Sequence, residues 1–352
     1  MNHLDRYLAK VVIVSILSVL GILLALDMVV AIIDEIKGKE GDYGTPEVLM
    51  YVLMTVPKRI YVITPLAVLI GSLLGLGMLA NNSELTVMRA VGMSVARISW
   101  AAIKPALLFV AAALLIGEFV VPHSENYAQS QRALAESRGE AVSSKYGYWH
   151  REGDTFMHFN AVLPGGVLYG VTQYEYDDKK LTRSLFAEKA IFQGDHWVLK
   201  QIKHSYLSDT QVEAGEDLTL RWDTELTPEV LKVVVVDPAD LSIMGLHTYT
   251  NYLKEQELDA KRYLLAFWKK VLQPFAIVVM VLVALSCIFG PLRSVTMGYR
   301  VFAGIILGVV FRYIEDFLGP ASIVFGFEPV FASVMPIAIF AIAAAVLLKR
   351  AA

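Results

Sequence analysis

The chain has 352 residues, 56% of them hydrophobic and only 18% charged, with a net charge of −3; an average soluble domain is about 45–50% apolar and about 25% charged. The small negative balance and the absence of Lys/Arg clusters leave nucleic acid no electrostatic footprint. The single cysteine, Cys287, excludes an internal disulfide or a cysteine metal site.

The excess apolar residues fall in blocks too long for a soluble core. A bilayer core of about 30 Å takes roughly 20 helical residues. Val11–Ile33 is the first such block, interrupted only by Asp27; it runs past signal-peptide length and no small-residue cleavage site follows it. Ile60–Ala80 is the second and carries no charge. Trp100–Val121 is the third, with Lys104 at its start and Glu118 near its end. Hydropathy returns at Val271–Phe289, at Val301–Val310 with an extension to Ile314, and at Val330–Leu348. The fold class predicted is a membrane protein of six transmembrane helices, three and three, around an inserted all-β domain. The divisions are residues 1–121, 122–262 and 263–352.

Orientation follows from the short connections. Arg6, Lys10, Arg89, Arg97, Lys104, Arg293, Arg300, Lys349 and Arg350 gather on one side, which the positive-inside rule makes cytoplasmic. Both termini are then cytoplasmic. The middle domain faces outward, into the periplasm of a bacterium with two membranes.

In that middle, His123–Arg138 reads as a polar helical continuation of the third span. From about Gly147, "TFMHFNAV", "VLYGVTQYEY", "SLFAEKAIF", "HWVLKQIKHSYL" and "DLTLRWDTEL" show partial period-two alternation. They are separated by the turn segments "REGD", "LPGG", "YDDKK", "QGD" and "AGED". Short strands at such spacing predict a sandwich or jelly roll. Ser242 then opens a helical run into the fourth span. His150, His158, His196 and His204 lack metal-ligand spacing. No Walker A pattern, GxSxG, HExxH or kinase set occurs. The reading is therefore of no enzyme and no catalytic or metal residues, with any energy supplied by a partner.

Three features carry content. Ser83–Gly92, between spans two and three on the cytoplasmic side, predicts a short helix. Ser83 would cap it, Glu84 suits its N-terminal dipole, and Gly92 ends it. Its residues Leu85, Met88, Arg89 and Val91 would meet a groove in another protein, or the helix would lie flat in the headgroup layer. Second, Lys37, Lys39, Lys58, Arg59, Lys269 and Lys270 collect on the outward side, against the positive-inside rule. An anionic ligand such as a lipid phosphate would hold cations there; snorkelling to ordinary headgroups, anchored by Trp268 and Tyr61, is the alternative. The intramembrane carboxylate Asp27 joins this candidate lipid-binding set. Third, small residues line span two (Gly71, Gly75, Gly77) and span five (Gly304, Gly308), where helices can approach closely. Ile305, Val309, Phe311 and Phe317, with Arg312 at the charged end, would give a span-five seam an apolar lining.

Longer motifs carry a resemblance. "LDRYLAK", "PLAVLIGSLLGLGMLANNSELTVMRAVGMS", "GEFVVPHSENYA", "VDPADLSIMGLHTYTNYLK", "QPFAIVVMVLVALSCIFGPLRSVTMGYRV" and "LGPASIVFGFEPV" resemble the LptF/LptG family of lipopolysaccharide export permeases, its LptG branch more than its LptF branch. The resemblance covers essentially the whole chain. It implies an ABC transporter permease in the bacterial inner membrane, paired with an LptF-like permease, an LptB-like ATPase dimer and an LptC-like single-span protein. Such a complex extracts lipopolysaccharide and passes it to a periplasmic bridge toward the outer membrane. ATP and Mg would be bound by the ATPase, leaving no cofactor in this chain. The segment at Glu84 matches the family's coupling helix. Lys37 falls at a position basic in relatives, with Lys39 its neighbour, while Ala31 occupies a further position that is basic in some. Spans one and five match the lateral gates. A permease for another lipid or for lipoprotein, and a non-transporting periplasmic scaffold, are the rival readings.

Overall fold

The computed structural model describes residues 3–37, 44–137, 148–163, 166–178, 180–208, 211–224, 226–228, 237–255, 259–290 and 295–351. The helices in chain order are α1 (His3–Lys37), α2 (Thr45–Met54), α3 (Val56–Asn81), α4 (Glu84–Ala90), α5 (Val95–Leu115) and α6 (Val121–Ser137). After the strands come α7 (Ile243–Glu255), α8 (Lys261–Phe289), α9 (Met297–Phe325) and α10 (Pro329–Ala351). A π-turn, Ile116–Val120, joins α5 to α6 without a break, and a 3-10 turn, Pro238–Asp240, precedes α7. Two compact units result. One comprises Met1–Ala31, Val56–Pro122 and Pro238–Ala352; the other comprises Ile32–Thr55 and His123–Asp237.

The first unit is helical. Among the described residues, five helical stretches are long and apolar enough to cross a membrane: His3–Lys37, Val56–Asn81, Val95–Arg132, Lys261–Phe289 and Pro329–Arg350. Helix α9 has the length, 29 residues, but it carries Arg300, Arg312, Glu315 and Asp316 and stands apart from those five. The centre of the unit is α3 against α8, which bury 67% and 61% of their apolar stretches, against 11% for α1. Helix α9 packs on α3 and on α10, and α5 packs on α8.

Proline and glycine explain how these helices fit. Pro65 lies inside α3, so Tyr61, four residues earlier, loses the N–H that its carbonyl would accept. Gln273 of α8 supplies the replacement, donating to that carbonyl at 3.0 Å. Helix α1 reaches α3 through Leu8, Val12, Ile16 and Val19, its buried face. Ile16 sits so close to Gly71 that a Cβ there would lie 2.5 Å from the Ile16 Cα.

The second unit holds a six-stranded antiparallel sheet: β1 (Tyr148–Glu152), β2 (Thr155–Leu163), β3 (Val167–Asp177), β4 (Lys180–Phe192), β5 (Trp197–Leu207) and β6 (Val212–Trp222). Its order is β1-β2-β3-β4-β5-β6. Every ladder among the described residues joins neighbours in sequence, so these six strands form a meander, and the crossover that a jelly roll needs is not among them. The cause is short-range turn chemistry, because Gly153 and Gly194 take positive φ at tight hairpins. One sheet face carries the core, with Met157, Phe159, Val171, Leu185, Trp197 and Leu199. Trp197 is fully buried, and its indole N–H donates to the Leu226 carbonyl at 2.7 Å. The predicted turn "AGED" lies inside β6, where Gly215 pairs with His204. Elsewhere in this unit Glu35 bonds Arg132 at 3.1 Å, and Arg132 also lies over the Tyr51 ring of α2.

Candidate functional site

At the start of α3 a set of charges is knotted together. Pro122 lacks an N–H. Val121 already donates five residues back, to Ile116, so the same register orphans the carbonyl of Gly117. The Lys270 ammonium of α8 fills that gap at 3.3 Å and also bonds the Leu241 carbonyl. Lys270 is only 5% exposed. Glu118, on the same π-turn, accepts from the backbone N–H groups of Ile243 at 2.7 Å and Met244 at 3.3 Å. A carboxylate there suits the positive end of α7. Ser242 completes the cap by accepting from Gly245, as the sequence suggested. Lys58 reaches Asp240 at 2.8 Å, and Asp240 is 3% exposed.

The candidate lipid-binding residues divide on this geometry. Lys58 and Arg59 sit side by side, and each holds an internal carboxylate, Arg59 bonding Asp27 at 2.6 Å. Lys269 faces Glu315 and Asp316 at 4.0 and 3.8 Å. Lys37, the last residue of α1, is exposed; Lys39 lies outside the described residues. On α9, Ile305, Val309 and Phe317 are exposed, and Arg312 bonds Asp316 at 2.9 Å. Phe311 points the other way, buried edge-on against Phe340 at 5.2 Å. The reason is helical phase: Gly304, Gly308 and Phe311 share the inward stripe of α9.

At the opposite end of α3, α4 forms where the sequence placed it, and Gly92 ends it with a φ of +89°. The cap differs. Ser83 adopts φ 61°, ψ 7° and makes no side-chain cap bond. Capping requires an extended Ser, whereas the chain reverses here within Asn82 and Ser83 and needs a left-handed residue. The Asn82 amide donates to Glu84 at 3.1 Å instead, and the Tyr7 hydroxyl of α1 also bonds Glu84. Leu85 and Met88 are buried in the helical core. Ser83, Thr86, Val87, Arg89, Ala90 and Val91 form the open face. Val87, 60% exposed, is the residue the sequence reading left out; the i, i+3 spacing of Leu85 and Met88 was the available sign that those two face inward.

The helix is thus rooted by its apolar pair and presents Val87 and Val91 beside Glu84. Residues 6–350 match the sequence profile of the family described as "Lipopolysaccharide export system permease LptF/LptG". The lipopolysaccharide export system permease protein LptG of Escherichia coli K12 is 38% identical over 352 residues, spanning 99% of this chain and 98% of that protein. The protein of the same name from Haemophilus influenzae is 35% identical over 353 residues, spanning 99% of each.

The chain belongs to the LptF/LptG permease family. The relatives it matches are permease proteins of the lipopolysaccharide export system. No three His, Cys, Asp or Glu come together among the described residues. Burial pushes the imidazoles of His150 and His158 down from their ordinary value, so both are neutral at pH 7 and act as strand residues. Two groups of this LptF/LptG chain escaped the sequence reading, Asp240 and Gln273. Nothing local marks them, because their partners lie 182 and 212 positions away.

Proposed function

We propose that the chain is the permease subunit of an ATP-driven exporter that lifts lipopolysaccharide out of the bacterial inner membrane and passes it to a periplasmic bridge. Six helices span the membrane, α9 being the sixth, with both termini cytoplasmic and the sheet periplasmic. An LptF-like permease and an LptC-like single-span protein complete the complex, and an LptB-like ATPase dimer hydrolyses ATP.

The observation that carries this reading is α4. It is fixed to the core by Leu85 and Met88, and its Val87–Val91 face stays open. It also follows α3 after only two residues. Exposed apolar helix faces want a groove in a partner. Glu84→Lys is expected to reduce recovery of the ATPase with the purified complex about tenfold, the effect of reversing one interfacial charge. Val87→Asp should act in the same direction by placing a charge in the contact. Wild-type recovery and transport in both variants would overturn the docking assignment.

Helices α1 and α9 present the exposed apolar flanks that a lipid or a second permease would cover. They include Leu17, Ile22 and Leu26 on α1, and Ile305, Val309 and Phe317 on α9. Lipid phosphates are held near Lys37 and Lys39, since Lys58 and Arg59 already have internal anions. The double variant Lys37→Glu, Lys39→Glu is expected to cut photocrosslinking of lipopolysaccharide to α1 at least about tenfold, two charge contacts being lost and reversed. Crosslinking at the wild-type level would make the pair a membrane anchor only.

A further inference from the structure

Helix α9 turns one stripe inward: Arg300, Gly304, Gly308 and Phe311, about a turn apart. Its glycine part is smooth. Gly304 lies against Leu73 and Ile70 of α3, and Gly308 against Leu66 and Leu69. Smooth surfaces hold helices close but offer little resistance to a swing or slide. The stripe ends differently, in a fully buried arginine. Burying a guanidinium is costly unless it is well bonded, and an apolar residue would have served packing alone. The Arg300 guanidinium donates to the Gly77 carbonyl at 2.8 Å and to Asn81 Oδ1 at 2.9 Å. Gly77 is shaped for it, since a Cβ there would come within 3.0 Å of Arg300 Cδ and Nη1. Asn81 is the last residue of α3, where the helix dipole favours a cation. Asn82 and Ser83 alone separate it from α4, and Asn82 itself bonds Glu84.

We infer that Arg300 is a positioning residue, pinning the Met297 end of α9 to the α4 end of α3. A displacement imposed on α4 then reaches α9 through Asn81 and Arg300, although α4 itself need not touch α9. Above the pin, the glycine seam lets the rest of α9 swing. This rests on the reading that an ATPase docks on α4.

The test uses the complex reconstituted with its partner permease and ATPase in liposomes containing lipopolysaccharide. Spin labels at Tyr313→Cys and Ile342→Cys, both exposed, report movement of α9 against α10 in a Cys287→Ala background. Vanadate-trapped nucleotide is expected to shift this distance when Arg300 is present. Arg300→Met should abolish the shift and lower lipid released per ATP about tenfold, with the ATPase still bound. Arg300→Lys should restore part of both. Asn81→Ala, which leaves α9 untouched, should give a smaller loss of the same kind and add nothing on top of Arg300→Met. A merely structural role would lower yield, hydrolysis and release together and leave lipid per ATP unchanged. A full shift in Arg300→Met, or in Asn81→Ala if the former fails to assemble, overturns the pin alone. Failure of the unsubstituted complex to retain its ATPase overturns the docking reading, and the pin with it.

Discussion

Replacing Lys270 with methionine is expected to destabilise the helical unit by about 2–6 kcal/mol, two buried carbonyls being left without a donor. The side chain is 5% exposed and spans Gly117 and Leu241. Methionine matches its length, so the loss is not one of volume. What disappears is the donor to the carbonyl orphaned by Pro122 and to that of Leu241, and each buried carbonyl left unmade costs about 1–3 kcal/mol. The neighbouring Lys269 is the control. It is 29% exposed, with carboxylates at 3.8 and 4.0 Å, and exposed pairs of this kind contribute about 0–1 kcal/mol. Unfolding midpoints of the purified variants in detergent separate the two. Equal losses at 269 and 270 would mean that Lys270 is an ordinary interface cation.

That contrast shows where the sequence was readable. Hydropathy gave five of the long helices because each carries an uninterrupted apolar run, and alternation gave β2 to β5 because one sheet face is buried. The alternation places the sixth strand from Asp217, whereas β6 begins at Val212. Gly215, among acidic neighbours, reads as a turn, but in the strand the His204 ring occupies the space beside it, 2.7 Å from where a Cβ would lie. Helix α2 went unread within the connection between spans one and two, although Pro46 in its first turn and Glu47 after it are start signals. The cations were visible as a cluster, yet their occupancy was not. Lys58, Arg59, Lys269 and Lys270 look alike in sequence, and only the folded chain distinguishes a cation holding two carbonyls from those holding carboxylates. Asp240 is the decisive case: it lies beyond all the strands, in a motif read for its resemblance, and it returns to Lys58.

The same distinction between close approach and open surface governs the glycines, and gives the second large effect. Gly71→Ala is expected to lift α1 off α3, costing about 3 kcal/mol, at the upper end for overpacking a tight contact. The added methyl would meet the Ile16 Cα at 2.5 Å and its N at 2.8 Å, and backbone cannot rotate aside. Gly308→Ala should be milder, because it meets the far end of the Leu66 side chain, which has other rotamers. Gly21→Ala has open space around it and should stabilise α1 by about 0.5–1 kcal/mol through helix propensity. Helix α1 buries only 11% of its apolar stretch, so a strained Gly71 contact shifts its seat onto Leu8, Val12 and Val19 and the Arg59–Asp27 pair. Detergent unfolding midpoints and protease sensitivity of α1 should rank the three variants 71, 308, 21 from worst to best. If the Gly71 variant behaves like the Gly21 variant, α1 is not seated on α3 by this approach. If export of lipopolysaccharide fails in this variant at temperatures where it is still folded, the close seat of α1 is a requirement of the transporter and not only of the fold.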